Sequence, residues 1–255
     1  MKFYYFVFVF CSFFAKYSAA QDKDFFQPKP ETAKSFNILY QINHAIFEEN
    51  FSILDTLKLD TSDVKFLLNN GLYRSILSSV KQLHRPFYDK NKLELALSSI
   101  DTSQGSLLSA KLQTYQKLYE YDQEFRIQLR KIDRERSSRY IIAIDSLNKS
   151  ILFEDLVNEN IMLSDTSIGL ENFHKICLLF QHISYSLSDS DWKKLRNYLE
   201  LLLEKGYLSN IKYAIIIDRY NEIKDLEIEF SGAVTKISSP RINANRKKIG
   251  LLPQP

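Results

Sequence analysis

Glycine and proline are too scarce in this chain to allow frequent tight turns. Six of each are spread over 255 residues. Between them, apolar side chains recur at the three- and four-residue spacing of an α-helix. Long periodic segments with few breakers argue against a sandwich or barrel, which needs a turn every ten residues or so. They predict an all-α fold: a multi-helix, bundle-like domain with a helical N-terminal extension. Phe36, Leu39, Tyr40, Asn43, Ile46 and Phe47 set the rhythm first. A short helix is predicted over 62–70, closed by Gly71, and another over 72–84, stopped before Pro86. The stretch 101–105, DTSQG, is the clearest break, dividing a helical region over 31–105 from a domain over 106–255. Beyond it, a long helix is expected over 106–136. Others follow over 139–158, 169–185, 190–205 and 210–224, with a last short one ended by Gly250 and Pro253. Ser188 and Asp191 have capping-box spacing ahead of Trp192.

Two segments depart from that rhythm. Leu226 to Val234, LEIEFSGAV, alternates apolar and polar residues, which predicts an extended arm and one short β-hairpin near 226–238. LLNNGLYRSI (67–76) and LLEKGYLSNI (202–211) share a Leu-Leu-x-x-Gly-x-x-x-x-Ile pattern. No third copy sets a period, so the pattern reads as two helices, each ended by a left-handed glycine.

The N-terminus carries an address. Lys2 precedes an almost uninterrupted apolar run from Phe3 to Ala15, and Ser18 and Ala20 place small side chains before Gln21. This is the pattern of a secretory signal peptide over 1–20, followed by a polar leader over 21–30. A bilayer-spanning helix needs about 20 apolar residues, so no stable membrane span is expected once the signal is cleaved. The expected location is periplasmic or extracellular. Cleavage removes Lys2 and Lys16, turning 34 basic residues into 32 against 31 acidic ones, a net charge of +1 instead of +3. That balance and the expected export argue against nucleic acid as a partner. A protein or an anionic ligand remains in view. Cleavage also removes Cys11 and leaves Cys177 alone, so no intramolecular disulfide can form.

From about Lys111 onward, several short segments recur in a fixed order. They are Asp122-Gln123-x-x-Arg126, Asp145-x-x-Asn148, Gly169, Gln181-His182, Tyr213-Ala214 with Asp218-Arg219, and Asn243-x-x-Arg246-x-x-Ile249-Gly250-Leu251. In these the chain resembles a family of uncharacterised bacterial proteins over about 111–253. The resemblance implies candidate positions and no reaction. This chain departs from the pattern at Met162-Leu163-Ser164, where a Gly-aromatic-Pro turn is expected. It departs again at Phe230-Ser231-Gly232-Ala233, where a Tyr-Gly-Thr-Gln element is expected.

The candidate site residues are therefore weighed on their own chemistry. Asp122 and Arg126 lie four apart with the acid first, which suits an intrahelical ion pair. With Gln123 they also suit a polar groove in which Arg126 is an anion-binding fork. Arg126, Arg130 and Arg134 form either a basic stripe or a solvated face diluted by Asp133 and Glu135. His182 is the best candidate acid–base group if packing brings it to Asp218 or Asp122; the alternative is a buried polar pair. Asp218 follows Ile215-Ile216-Ile217, so it is expected to be buried and to need a base such as Arg126 or Arg246. Arg219 points roughly 100° away from it and should meet other partners. Cys177 sits in an apolar helix and reads as core. No metal is expected: His174 and His182 are eight residues apart, about 12 Å along a helix, and no zinc spacing occurs. No phosphate loop or nucleophile elbow occurs either, and no cofactor is implied. Two functions stay open: a non-catalytic interaction or ligand-binding module, and a hydrolase-like enzyme with a His/Asp/Arg pocket.

Overall fold

A computed structural model describes residues 26–75, 105–129, 134–232 and 238–254. The expected signal peptide, the first half of the leader, and the helix expected over 72–84 beyond residue 75 lie outside the described residues. Among the described residues the chain is all-α, with no strand. No helix there is long and apolar enough to cross a membrane.

Helix α1 (Pro30–Phe47) opens on a proline, whose fixed φ suits the first helical position. It packs on a 3-10 segment (Phe51–Thr56) and on α2 (Thr61–Leu68). Helix α2 begins with a capping box in which Asp60 accepts from the Asp63 amide and Asp63 from the Asp60 amide. Lys34 of α1 donates to both carboxylates, at 2.5 and 2.7 Å, and joins the two helices.

The long helix expected over 106–136 is shorter than that. Helix α3 is Gly105–Leu129, and α4 (Arg134–Leu152) starts anew after four residues outside the described set. Helix α4 runs on into a π-helical turn, Phe153–Val157. After α5 (Asp165–Ile168), α6 (Leu170–His182) occupies the centre of the fold and touches α3, α4, α5 and α8. Its Phe173, Ile176, Cys177, Leu179 and Phe180 are all buried, a stripe wide enough to face several neighbours at once. A 3-10 turn (Ile183–Ser186) leads to α7 (Asp189–Glu204), α8 (Asn210–Ile223) and α9 (Pro240–Lys248). At the start of α7, the Ser188 hydroxyl accepts from the Asp191 amide as its spacing predicts. Asp191 answers through the Ser188 hydroxyl instead of its backbone amide.

One apolar core runs through both halves of the chain. Phe26, Phe36, Phe66 and Tyr73 form a ladder of ring contacts, and Phe26 also meets Tyr213, which meets Phe230. Asn69 and Asn70 donate to the carbonyls of Lys205 and Tyr207, and the Tyr73 hydroxyl accepts from the Asn210 amide. The turn after α2 is thereby fastened to the turn after α7.

The two Leu-Leu-x-x-Gly segments part company here. Gly206 ends α7 with φ 73°, as a left-handed cap should. Gly71 does not cap α2: it is the first residue of a helical turn at 71–75, and its amide donates to Asp165 at 2.5 Å. Asp165 therefore supplies a carboxylate to the start of that helix from across the fold. At Gly206 an added Cβ would lie 2.6 Å from the Phe66 carbonyl oxygen. Gly206→Ala combines that clash with a left-handed backbone. It should lower unfolding stability by about 2 kcal/mol or more, measured by denaturant titration. An unchanged midpoint would mean that the α2–α7 junction is loose.

Candidate functional site

Helices α3, α4 and α6 meet around a carboxylate with no exposed surface. Asp122 of α3 is fully buried, and a buried charge persists only when it is paired and hydrogen-bonded. Its partners come from all three helices. Arg126, one turn later, donates from Nε to both Asp122 oxygens at 3.1 Å. Gln123 donates at 2.8 Å and Asn148 of α4 at 3.4 Å. The Nδ1 of His182, the last residue of α6, lies 2.6 Å from Asp122 Oδ2. Arg126 also reaches across with Nη2 to Asp145 of α4. One guanidinium thus bridges two buried acids on different helices.

These contacts set the proton affinities. Burial alone raises Asp122, but the bonds from His182 and Arg126 outweigh it and hold the carboxyl below its usual range. Asp145 is the reverse case. Burial dominates, the Asp122 charge adds to it, and Arg126 only partly opposes them, so Asp145 is pushed up to about 7. Its Oδ2 is buried with no hydrogen-bond partner, which agrees with a carboxyl that gains little from being ionised. If Asp122 is charged, Arg126 neutralises it.

Of the residues singled out in the sequence, Asp122, Gln123, Arg126 and His182 come together. Asp218 does not join them. It lies on α8 and accepts from the backbone amides of Glu229, Phe230 and Gly232 at 2.9, 3.0 and 2.6 Å. Burial raises its proton affinity against the pull of those amides. Of the two acids offered to His182, Asp218 is therefore not the one it meets: three N–H dipoles serve Asp218, and the expected base, Arg246, stands near enough for the two charges to interact. Arg246 works on the same loop through its carbonyls, donating to Phe230 and Ser231, and also to the Leu252 carbonyl of the C-terminal segment. Between them lies the segment expected to be a β-hairpin arm. Residues 226–232 contain no strand, and 233–237 lie outside the described residues. Burial there does not follow the alternation: apolar Leu226 is exposed, and Glu229, Phe230 and Ser231 are buried in succession. Arg219 faces outward, bonded to Glu222 and to the Tyr185 hydroxyl, with its guanidinium over the Tyr185 ring. It belongs to neither cluster.

Arg126 also changes role. Its Nε and Nη2 are committed to carboxylates, so it positions the cluster and is not an open anion fork. Asp145 and Asn148 are the members that residue-by-residue weighing passes over. Their i, i+3 spacing on a helix otherwise rich in exposed side chains was the available signal. Cys177 is buried, and burial pushes its thiol up to about 12, which suits a core residue and not a nucleophile. Among the described residues, no group of three or more His, Cys, Asp or Glu side chains is placed to hold a metal ion.

A cavity of about 750 Å³ lies elsewhere, between α7 and the wall formed by the end of α8 and the 226–229 loop. None of Asp122, Arg126, Asp145 and His182 lines it.

Two outcomes follow from these environments. Because the folded protein keeps the Asp145 proton up to about pH 7 while the unfolded chain releases it near 3.8, stability should fall as pH rises through that window. Asn cannot ionise, so Asp145→Asn should gain stability relative to the parent between pH 5 and pH 8, read from melting curves. A relative loss would show that Asp145 is a net-stabilised anion. Ser231 sits in the clamped loop at φ 52°, a left-handed conformation that favours glycine. Ser231→Gly should therefore stabilise the protein by about 0.5–1 kcal/mol, and destabilisation would mean that its side chain is needed.

Comparison with known proteins leaves this geometry to stand by itself: no family model matches the chain, and neither do curated proteins or solved structures.

Proposed function

We propose that this is an exported helical protein carrying a histidine-centred acid–base site of the hydrolase type, with His182 as the proton-transferring group and Asp122 as its orienting carboxylate. The 2.6 Å contact between His182 Nδ1 and a fully buried Asp122 carries the reading. A carboxylate acceptor favours a proton on Nδ1, which makes Nε2 the lone-pair nitrogen. The His182 side chain is about one-fifth exposed. We take the exposed part of the ring to be the edge bearing Nε2, away from the Nδ1 contact with buried Asp122.

The proposed chemistry needs no group beyond these. Nε2 takes a proton from a water or hydroxyl oxygen as that oxygen attacks an acyl or phosphoryl centre. The proton then passes from Nε2 to the leaving oxygen or nitrogen, and the imidazole returns to its starting form. Asp122 stabilises the transient imidazolium. Gln123, Arg126 and Asn148 hold Asp122 in place and touch no reacting atom. Asp145, with no exposed side-chain surface, holds Arg126 from the far side and takes no part in the proton transfer. Export rests on the N-terminal segment over 1–20.

A second reading, a non-catalytic ligand-binding module, is favoured by the separate 750 Å³ cavity. The two readings are separated by assaying the protein on chromogenic carboxylic esters, phosphoesters and amides beside His182→Gln, which retains a donor for Asp122 and lacks the base. Turnover falling about 10²-fold or more in the variant is expected. Equal turnover, or none by the parent on any of the three, overturns the catalytic reading. Long-range ¹H–¹⁵N correlation of the His182 ring provides an independent readout: the Nδ1–H form is expected, lost in Asp122→Asn.

A further inference from the structure

We infer that the cavity between α7 and the 226–229 loop is a binding groove for a neutral, hydroxyl-rich ligand of saccharide type. Its volume of about 750 Å³ falls within the range of small-molecule sites. Its lining is unusual for such a site, because charged and amide side chains outnumber apolar ones. Five carboxylates face four cations, and Lys29 ties Glu204 from outside the lining, so the charge closes to nearly zero.

Six of these nine charges are also fixed in ion pairs, while Asp189 accepts from the Tyr220 hydroxyl, Lys224 donates to the Leu187 carbonyl and Lys193 is exposed. Arg196 forms a two-pronged pair with Glu229, Nη1 to Oε1 at 2.9 Å and Nη2 to Oε2 at 3.1 Å. Its Nε donates to Glu200 at 2.9 Å, and Glu200 accepts from the Tyr213 hydroxyl. Asn221 braces Glu229 at 3.3 Å, and Arg241 pairs with Glu227. An ionised ligand recognised through Arg196, Arg241 or their acids would have to break such a pair, which leaves it only Lys193, Lys224 and Asp189. An apolar ligand would strip water from carboxylates without replacing the hydrogen bonds. Vicinal hydroxyls donate and accept at once, so they can use the remaining lone pairs of paired carboxylates and the free N–H directions of amides without separating any ion pair.

Peptides fit less well. Capture of an extended peptide by strand addition needs a sheet edge, and the described residues have no strand. Capture of an amphipathic helix needs a run of apolar anchor pockets. Here the apolar and aromatic side chains are few and scattered among charged ones: Phe26, Trp192, Tyr220 and Leu226. Trp192 stacks on Tyr220 with ring centroids 3.8 Å apart and 5° between planes, giving the groove a rigid aromatic wall.

Trp192 is also the chain's one tryptophan, so fluorescence excited selectively at tryptophan, beyond the absorption of the fifteen tyrosines, reports on this groove. The full chain is titrated with maltotriose, cellotriose and chitotriose, and in parallel with trialanine, trilysine and triglutamate. A saturable change with at least one saccharide, with Kd between about 10 µM and 10 mM, is expected. The double variant Lys193→Ala, Asn197→Ala, at two exposed positions on the α7 wall, should weaken it about fivefold or more while leaving the melting temperature in place. His182→Gln should leave it unchanged, since the acid–base cluster does not line the groove. Silence with all three saccharides, saturation by a peptide alone, or saccharide affinity indifferent to the double variant would each overturn the assignment.

Discussion

A carboxylate sealed from water at a three-helix junction is the constraint around which the central part of this fold is arranged. Asp122 cannot be buried alone, so each helix reaching the junction brings it a donor: Arg126 and Gln123 from α3, Asn148 from α4, His182 from the end of α6. The register of α6 against α3 and α4 is then limited by polar geometry as well as by apolar fit. Apolar packing alone tolerates exchange and sliding among similar side chains; a carboxylate needing several donors does not. Arg126 carries the constraint one step further by bridging to Asp145, so that two acids on two helices share one cation.

The secondary structure was largely legible because it depends on local chemistry. Ser188 caps α7, Gly206 ends it, and the apolar stripe of α6 lies where its periodicity places it. What escaped depends on contacts distant in sequence. Gly71 looks like a helix stop, and only Asp165, 94 residues away, makes it a helix start. The alternation over 226–232 is the pattern of a strand, but no partner strand exists among the described residues and Asp218 takes the amides a ladder would have used.

The candidate site was legible in part for the same reason. Asp122 and Arg126 are readable as a pair because they lie one helical turn apart. That His182, 60 residues on, points at Asp122 and not at Asp218 is a matter of tertiary packing. Asp218 seemed an equal partner because a carboxylate after three isoleucines has to be satisfied by something. The sequence shows that need, and it does not show that backbone amides can meet it. The two acids diverge accordingly: Asp122 is served by cationic and amide side chains and is held below its usual range, whereas Asp218 is served by peptide dipoles and is raised by its burial.

The clamp on the 229–232 loop has a consequence for how such a protein can change. Asp218 grips the loop by its amides and Arg246 by its carbonyls, so both recognise main chain that every sequence shares. Gly232 is held to glycine, since a Cβ there would meet the Ile215 amide nitrogen at 2.9 Å. At the neighbouring positions the grip is indifferent to side-chain identity. The clamp thus sets the loop's path through main chain, while what the loop contributes to the neighbouring groove and core, Glu229 on Arg196 and Phe230 on Tyr213, is carried by side chains.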